Sequence, residues 1–436
     1  MIRAIQNIIL VLLTSIFVFP FELNFLPGVN TKLILSVVGL MLFLIQSARK
    51  GNLKLDHGFI ECILLALLFS LICFVSVVYN HTTDYTYAFY IVSMLVWLFG
   101  AYAVVWSISE VYGRISIPLV SNFLIACAVL QCITALLIEY IPAFSQWVDN
   151  LVLGVGFQKS FSDVKGERLY GIGAFLDVAG MRFSCILAIL SVISVKIKEQ
   201  APKWLPIIYI ACFLFIACIG NMMSRTTIVG VAVALAYWIF EMFRGNKNSL
   251  RTIKYFIILL LIFVPIILFL YNNNAAFYNK FRFGFEGFFS LLEQGEWQTN
   301  SGDKLENMFV WPDNWKTWII GDGYFEDVRK DPYYIGYNWL YFYMGTDVGY
   351  SRFIFYSGIL GLVAFSLFFI SCATYLMNLY PKYKIMFLMI LCINFIVWIK
   401  VSSDCFTIFA VYMACALFND EITKGERALV EKNIPQ

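Results

Sequence analysis

Charged side chains at the ends of apolar segments are the residues of this chain best placed to do chemistry. In "GTDVGYSRFIFYSGILGL" (345–362), Asp347 and Arg352 lie five positions apart, directly ahead of a long apolar run. A carboxylate there can accept a proton from a substrate hydroxyl group, and an arginine can bind an oxyanion through two parallel hydrogen bonds. Tyr350, between them, is a candidate substrate-binding residue. The simpler interpretation is a solvated anchor at a membrane interface.

Arg225 is the second such residue, in "GNMMSRTTIVGVAVAL" (220–235). A charge between two apolar runs is costly unless it faces a cavity or a partner, although most interfacial arginines simply extend toward water. Ser224, Thr226 and Thr227 surround it with hydroxyl groups, and a helix N-terminus follows. This combination is typical of phosphate binding and favours a functional role.

A third charged segment, "GERLYGIGAFLDVAGMRFS" (166–184), places Arg168 and Arg182 on either side of Asp177. One interpretation is an Arg–Asp pair that holds a loop against the rest of the protein. The other is a second cationic arm of an anion site, in which the interspersed glycines let the backbone approach a ligand closely. The residues alone are compatible with both.

The composition assigns the chain to the membrane proteins. Hydrophobic residues make up 61% of its 436 residues and charged residues 14%, against about a quarter charged residues in soluble domains. A net charge of +3 gives no electrostatic support for binding nucleic acid. The segments that carry the charged residues must therefore be positioned by membrane helices.

Continuous apolar runs of about 20 residues, the length that crosses a bilayer, recur along the chain. Because backbone polar groups cannot remain unpaired in lipid, these runs predict an all-α polytopic membrane protein with one domain over residues 1–436. About twelve transmembrane helices are predicted, and only "KVSSD" (400–404) separates the last two. They are 5–21, 32–48, 58–79, 88–107, 117–141, 180–195, 204–222, 226–243, 254–271, 353–377, 384–400 and 402–418.

Lysine and arginine residues in the short loops predict the orientation, because they accumulate on the cytoplasmic side. Most of them fall on one side, whereas loops such as "FELNFLPGVN" (21–30) on the other side carry none. Both termini are therefore predicted to be cytoplasmic, including a tail at 419–436. Two extracytoplasmic segments follow from this, a first loop at 142–179 and a large loop at 272–352.

The large loop is rich in aromatic residues, as in "MFVWPDNWKTWIIGDGYF" (308–325) and "DPYYIGYNWLYFYMG" (331–345). Disordered segments are depleted in such residues, so the loop is predicted to fold. Its rings suit either an aromatic belt at the membrane interface or a cleft that stacks on sugar rings. "FRFGFEGFFSLLEQG" (281–295) has the spacing of an amphipathic helix on the bilayer surface.

Several kinds of site have little support. The sequence has only two histidines, His57 and His81, which the predicted topology puts on opposite sides of the membrane. Neither a histidine metal site nor a Ser-His-Asp triad is therefore expected. The sequence has no GxxxxGK[ST] phosphate loop, so ATP hydrolysis is not expected either. We predict no metal and no cofactor.

The segments "SRTTIVG", "IIGDGYF" and "DVGYSRFIFYSGILG" resemble the bacterial O-antigen and capsular polysaccharide polymerases of the Wzy type. "ERLYGIGAFLDVAG" is similar to the Arg–Gly segment of an earlier outward loop in that family. The resemblance implies a GT-C-like transmembrane glycosyltransferase of the bacterial inner membrane, active in lipopolysaccharide or capsule biosynthesis. It would extend glycans on an undecaprenyl-pyrophosphate carrier at the outer face, using lipid-linked donor and acceptor and a chain-length regulator as partners.

The positions that match the family's motifs are Arg168, Arg225, Asp347 and Arg352. In such a reaction, Arg225 and Arg168 would stabilise the pyrophosphate leaving group without a metal, with Arg352 as a third cation. Asp347 would accept the proton of the attacking sugar hydroxyl group.

Further residues of the same segments are assigned to supporting roles. Asp177 is the second candidate for the base, and Arg182, Ser224 and Tyr350 are predicted to contact substrate.

Two alternative functions stay open. O-antigen ligases, which transfer glycan to the lipid A-core, share the architecture but carry a histidine in the late outward segment, and this chain has none after His81. A polysaccharide flippase or other transporter would also be polytopic, with charges along its path. The charges singled out here gather at helix ends rather than in mid-helix, which favours the polymerase.

The predicted orientation can be measured with reporter fusions. We expect extracytoplasmic signals after residues 85, 165 and 310, and cytoplasmic signals after residues 250 and 425, because the basic loops remain inside. A cytoplasmic signal after residue 310 would put the large loop on the wrong side for an outer-face site.

Overall fold

The computed structural model describes residues 2–50, 56–153, 168–197, 201–202, 204–326, 328–332, 334–337 and 342–418. The predicted tail at 419–436 and much of the first loop, 154–167, lie outside these residues. Helices dominate the described chain. A short antiparallel hairpin of β1 (Glu22–Leu23) and β2 (Leu26–Asn30) joins the first two helices.

The helices of the first half are α1 (Ile2–Val18), α2 (Thr31–Lys50), α3 (His57–Asn80), α4 (Tyr90–Tyr112), α5 (Ile117–Tyr140), α6 (Pro142–Leu151), α7 (Leu176–Val195), α8 (Leu205–Met223) and α9 (Thr227–Phe243). Those of the second half are α10 (Lys247–Asn273), α11 (Ala275–Gly284), α12 (Glu286–Gln294), α13 (Asn300–Glu306), α14 (Trp315–Ile319), α15 (Gly349–Leu379), α16 (Lys384–Val397) and α17 (Phe406–Leu417).

Eight of these helices are long and apolar enough to cross a membrane, namely α2, α3, α4, α5, α7, α8, α10 and α15. This confirms the prediction of an all-α membrane protein at the level of fold class. Four shorter apolar helices, α1, α9, α16 and α17, coincide with the remaining predicted spans. One end of the bundle carries most of the charged residues discussed below, and we call it the site end. It is formed by the C-terminal ends of α1, α3, α5, α8, α10 and α16 and by the N-terminal ends of α7, α9, α15 and α17.

The predicted boundary between the last two spans was wrong. The predicted spans 384–400 and 402–418 leave almost no loop, whereas an eight-residue stretch at 398–405 lies outside both helices; we call it the 398–405 link. Two hydrogen bonds give it a defined shape: the Trp398 indole N–H donates to the Ser403 carbonyl oxygen at 3.0 Å, and the Cys405 N–H donates to Asn394 Oδ1 at 3.0 Å. The apolar residues on either side of "KVSSD" made the predicted spans extend into this stretch.

The two outward segments contain more helix than predicted. The first loop, predicted at 142–179, begins with α6 and ends inside α7, which starts at Leu176 rather than at residue 180. The large loop, predicted at 272–352, contains α11 to α14. The single amphipathic helix expected at 281–295 is instead divided at Phe285 into α11 and α12. The two helices form a hairpin that carries the aromatic side chains.

Helix α7 is the centre of the bundle, and it packs closely against α9. At Gly230, a methyl group would overlap the Cα and carbonyl oxygen of Ser184. At Gly180, a methyl group would lie 2.5 Å from Ser224 Oγ. The Ser184 hydroxyl group joins the two helices because it donates to the Thr226 carbonyl oxygen at 2.9 Å. The two glycines therefore bring the start of α7 against the turn that carries Arg225.

The predicted span at 353–377 is broken near its N-terminal end. Gly358 has φ 67° and ψ −175°, which a side chain would disfavour, and its position is packed against the Ile319 backbone of α14. The break releases carbonyl groups of α15, and the loop after α14 satisfies them: Asp322 N–H donates to Phe355 at 2.6 Å and Gly323 N–H to Tyr356 at 3.2 Å. This docks part of the large loop beside the helix turn that carries Arg352.

The close contact between α7 and α9 predicts that Gly230→Ala destabilises the protein. Backbone atoms of Ser184 cannot move aside as a flexible side chain would, so overpacking should cost about 1–3 kcal/mol. Thermal unfolding of the purified protein in detergent measures this. Ala232→Leu, an enlargement on the exposed side of the same helix, is the control and should leave the midpoint unchanged.

Candidate functional site

Four segments that are far apart in the sequence meet at the site end of the bundle. They are the start of α7, the turn between α8 and α9, the start of α15 and the 398–405 link. The Lys400 ammonium group lies 3.1 Å from Asp177 Oδ1. The same oxygen accepts hydrogen bonds from the hydroxyl groups of Thr226 at 2.6 Å and Ser224 at 3.4 Å. Asp177 is thus the point at which three of the segments are joined.

Asp347 and Arg352 supply the fourth segment. Arg352 Nη1 lies 3.7 Å from Asp347 Oδ1 and donates to the Ser402 hydroxyl group of the link at 2.6 Å. Its Nη2 donates to the Phe325 carbonyl oxygen of the large loop at 2.8 Å. We call Asp177, Asp347, Arg352 and Lys400 the outer charge cluster. It contains two acids and two bases, so its formal charge is balanced.

The carboxyl group of Asp347 is the member of this cluster best suited to exchange a proton. Desolvation raises its pKa to about 7, although Arg352 lowers the pKa and Asp177 raises it further. Its side chain is still 29% exposed, so a ligand can reach it. A carboxyl group with a pKa near neutrality can act as a general base at physiological pH.

The contact between α15 and the link depends on Gly349. A methyl group there would lie 2.7 Å from the Val401 carbonyl oxygen, so only glycine lets the helix start this close to the link. Tyr350 reinforces the contact: its N–H donates to the Trp398 carbonyl oxygen at 3.3 Å and its hydroxyl group to that of Phe395 at 3.0 Å. The structure therefore uses Tyr350, predicted as a substrate contact, to hold α15 against α16.

Arg225 and Arg168 lie to one side of the outer charge cluster and share one aromatic ring. Their guanidinium carbons lie 4.1 Å and 4.6 Å from the ring centre of Phe283 in α11. Arg225 Nε also donates to the Phe283 carbonyl oxygen at 2.9 Å, and its Nη1 lies 2.5 Å from Glu286. Arg168 stabilises the charge on Asp177, which connects this pair to the outer charge cluster.

Arg225 faces a cavity of about 800 Å³ that α11, α12 and α13 surround. Aromatic and polar side chains line it, among them Tyr278, Phe289, Gln298 and Asn300. On its wall, Arg282 and Glu293 form an ion pair at 2.6 Å. Rings beside amide and charged groups are suitable for binding a carbohydrate.

A second group of charges lies deeper, between α2, α4, α7 and the link. The Arg182 guanidinium and the Lys32 ammonium group lie over the Trp97 ring, at 5.5 Å and 4.8 Å from its centre. Asp404 of the link is their acidic neighbour, because both cations stabilise its charge. We call Lys32, Arg182 and Asp404 the inner charge cluster. Its formal charge is +1.

The structure brings Asp177, Asp347 and Arg352 together, and it places Arg168 and Arg225 beside them. Arg182 belongs to the separate inner charge cluster. The three hydroxyl groups around Arg225, which the sequence suggested for a phosphate, already have acceptors within the chain. Those of Ser224 and Thr226 donate to Asp177, and that of Thr227 donates to the Gly220 carbonyl oxygen at 3.0 Å. Buried hydroxyl groups donate to an acceptor close to them, and the sequence did not reveal that Asp177 is the acceptor for Ser224 and Thr226.

Sequence reasoning missed Lys400, Asp404 and Lys32. Lys400 and Asp404 form the two ends of "KVSSD", and Lys32 stands at the start of an apolar run. A signal was present, since "KVSSD" places a cation and an acid between two apolar runs. The described residues contain no group of three or more His, Cys, Asp or Glu side chains that could hold a metal ion.

Neither a family model, a curated protein nor a solved structure matches the chain. The assignment of a function therefore depends on the geometry of the two charge clusters and on the resemblance of short segments.

The raised pKa of Asp347 predicts a stability that depends on pH. Because the folded state holds the Asp347 proton more tightly than the unfolded chain, this residue's contribution to stability falls as the pH rises from about 4 toward 7. Asp347→Asn removes the titrating group. Its thermal midpoint should equal the wild-type value at low pH and exceed it at pH 8, measured by unfolding in detergent.

Asp313→Asn is the control, since Asp313 lies exposed in the large loop. This variant should follow the wild-type pH dependence. If the difference between the thermal midpoints of the wild type and Asp347→Asn stayed constant between pH 4 and 8, the raised pKa of Asp347 would be contradicted.

Proposed function

We propose that the protein is a membrane glycosyltransferase that polymerises oligosaccharide repeat units linked to undecaprenyl pyrophosphate, at the outer face of a bacterial inner membrane. The observation that carries the proposal is the environment of Asp347. This carboxyl group is partly exposed, has a pKa of about 7, and lies between Arg352 and the Lys400–Asp177 pair at the end of a membrane bundle. A proton acceptor of this kind is what transfer to a sugar hydroxyl group requires.

In the proposed reaction, the oxygen of an acceptor sugar hydroxyl group attacks the anomeric carbon of the donor glycan. The proton of the acceptor hydroxyl group passes to Asp347 as the new carbon–oxygen bond forms. The bond between the anomeric carbon and the diphosphate oxygen breaks, and the diphosphate leaves on its lipid. Arg352 and Lys400 assist, because fixed cations in a partly desolvated site stabilise developing negative charge.

The cavity beside Arg225 is the proposed cleft for the growing glycan. Its aromatic and amide side chains suit sugar rings and hydroxyl groups, and it borders the outer charge cluster through Arg168 and Arg225. The resemblance assigns Arg225 to the pyrophosphate. Arg225 is already paired with Glu286, so we propose instead that it positions the wall of the glycan cleft.

The proposal includes the membrane arrangement predicted from the basic residues. The twelve apolar helices would all cross the bilayer, with the site end outside and both termini in the cytoplasm. The helices α16 and α17, of 14 and 12 residues, would cross together with the 398–405 link, whose irregular backbone is anchored by the buried residues Trp398, Val401 and Cys405. A chain-length regulator would bind from outside.

A transporter of anionic lipid-linked glycans is the second candidate. The inner charge cluster favours it, because ionisable residues inside a membrane bundle often mark a transport path. The two functions differ in what the outer carboxyl group does: a polymerase needs Asp347 as a proton acceptor, and a transporter does not.

The polymerase proposal predicts the phenotype of Asp347→Asn in a strain that lacks the gene. We expect surface glycan with a single repeat unit, as in the deletion itself, since losing a general base costs on the order of 10²–10⁴-fold in rate. Asp347→Glu should retain a trace of longer chains. Electrophoresis of the extracted glycan separates single repeats from a ladder.

Asp313→Asn serves again as the control and should restore the full ladder. A deletion strain with no glycan attached at all would favour a ligase or a transporter instead. If Asp347→Asn made full-length polymer at normal protein levels, Asp347 would be an interface anchor and the proposed chemistry would fail.

A further inference from the structure

Most cations at the site end already have an anionic or carbonyl partner within the chain. Arg225 is paired with Glu286, Arg352 with Asp347 and the Phe325 carbonyl group, and Lys400 with Asp177. The outer part of the large loop follows the same rule, with Lys280 paired to Glu139 and Lys316 to Asp322. Such cations can bind an external anion only by giving up a partner.

Arg182 and Lys32 are different. Among the described residues, neither side chain has a hydrogen-bond acceptor or an ion pair within 4.0 Å; the Arg182 guanidinium group lies over the rings of Phe19 and Trp97, and the Lys32 ammonium group over that of Trp97. Arg182 is 8% exposed. An arginine cannot lose its proton inside a protein, so its five donors stay charged and in need of acceptors.

Asp404 does not satisfy these two cations. It is one carboxylate against two positive charges, and in the described chain it forms no ion pair within 4.0 Å of either. One of its oxygens accepts the Phe406 N–H at 2.9 Å, at the start of α17. The inner charge cluster therefore keeps a surplus positive charge, and its donors have no acceptor among the described residues; both features favour the binding of an anion.

The position of the cluster indicates what kind of anion would enter. Arg182 follows Asp177 by five residues on α7, which places it about 7.5 Å deeper in the bundle along the helix axis. Lys32 is the second residue of α2, and the neighbouring Leu33, Ile34 and Val37 are exposed on the outer surface of that helix. The inner charge cluster thus lies beside an exposed apolar helix face, and farther along α7 than Asp177, the neighbour of the proton-accepting carboxyl group.

We propose that Arg182 and Lys32, supported by the Trp97 ring, bind the diphosphate group of the lipid-linked glycan. The arginine presents a planar pair of donors to phosphate oxygens, and the lysine adds a point charge. In this arrangement the lipid tail of the substrate lies along α2, and its sugar extends toward Asp347. The identity of the lipid rests on the proposed function; the oxyanion site itself does not.

The test measures anion binding to the purified full-length protein in detergent. The probes are inorganic pyrophosphate, farnesyl diphosphate and, as the uncharged comparison, farnesol, and the readout is the rise of the thermal midpoint with probe concentration. Both diphosphates should bind, farnesyl diphosphate more tightly, and farnesol should not. Arg182→Met should weaken diphosphate binding on the order of a hundredfold, as truncation of a buried charged hydrogen-bond partner does.

Two further variants separate binding from folding. Lys32→Met should weaken binding in the same direction, and Arg114→Met, an exposed arginine after α4, should leave it unchanged. Without ligand, Arg182→Met should melt no lower than the wild type, because it removes a charge that has no partner and leaves Lys32 to balance Asp404. A large loss of stability without ligand would indicate a structural role and overturn the proposal.

The outcomes also distinguish this inference from the proposed function. Unchanged diphosphate binding in Arg182→Met, with normal polymer in cells, would refute the site and leave the polymerase standing. If diphosphate binding depended on Arg182 but deletion of the gene left the surface glycan unchanged, the anion site would stand and the polymerase proposal would fail. Equal affinity for the two diphosphates would assign the site to a soluble anion and refute the lipid-linked ligand.

Discussion

The partnering of charges inside a membrane bundle is the constraint on which the rest of this structure depends. A charged side chain in a medium of low dielectric is expensive unless it is paired, and the site end of this bundle holds many of them. The 398–405 link provides the solution. Lys400 neutralises Asp177, Ser402 accepts from Arg352, and Asp404 lies beside Arg182 and Lys32. Three helix ends are joined through a stretch of eight residues.

That pairing is possible only because backbone segments approach one another more closely than side chains would allow. Because Gly180 and Gly349 have no side chain, the turn at Ser224 and the link at Val401 can pack directly against them. Gly358 breaks α15 where the large loop docks. The cost of these glycines is conformational entropy, and the gain is electrostatic. The same contacts set the distance between Asp347 and Arg352, and therefore the environment that raises the pKa of Asp347.

The two charge clusters divide the proposed chemistry by depth. The outer one is balanced and partly exposed, which suits transfer of a proton from an acceptor hydroxyl group. The inner one has a surplus positive charge and lies at the start of α2, whose exposed side is apolar, which suits the proposed anionic group of a lipid-linked substrate. The aromatic cavity beside Arg225 lies outside both, where a long glycan would extend.

The sequence by itself determined the class of the protein and the neighbourhood of its site. Apolar runs predict membrane helices because the bilayer leaves the backbone no other partner, and this prediction required no tertiary contact. It also singled out Asp347, Arg352, Asp177 and Arg225 as unusual, since charges at helix ends are visible in a linear pattern.

Only the tertiary structure decided which charges are partners. The pairing of Asp177 with Lys400 joins residues 223 positions apart, and Arg225 is paired with Glu286 of a helix that the pattern placed on the bilayer surface. The sequence showed "KVSSD" between α16 and α17 only as a very short loop, and not that its Lys400 and Asp404 reach charges on other helices. Local patterns report solvent and secondary structure, whereas the choice among several acceptors depends on distances that arise only when the helices pack.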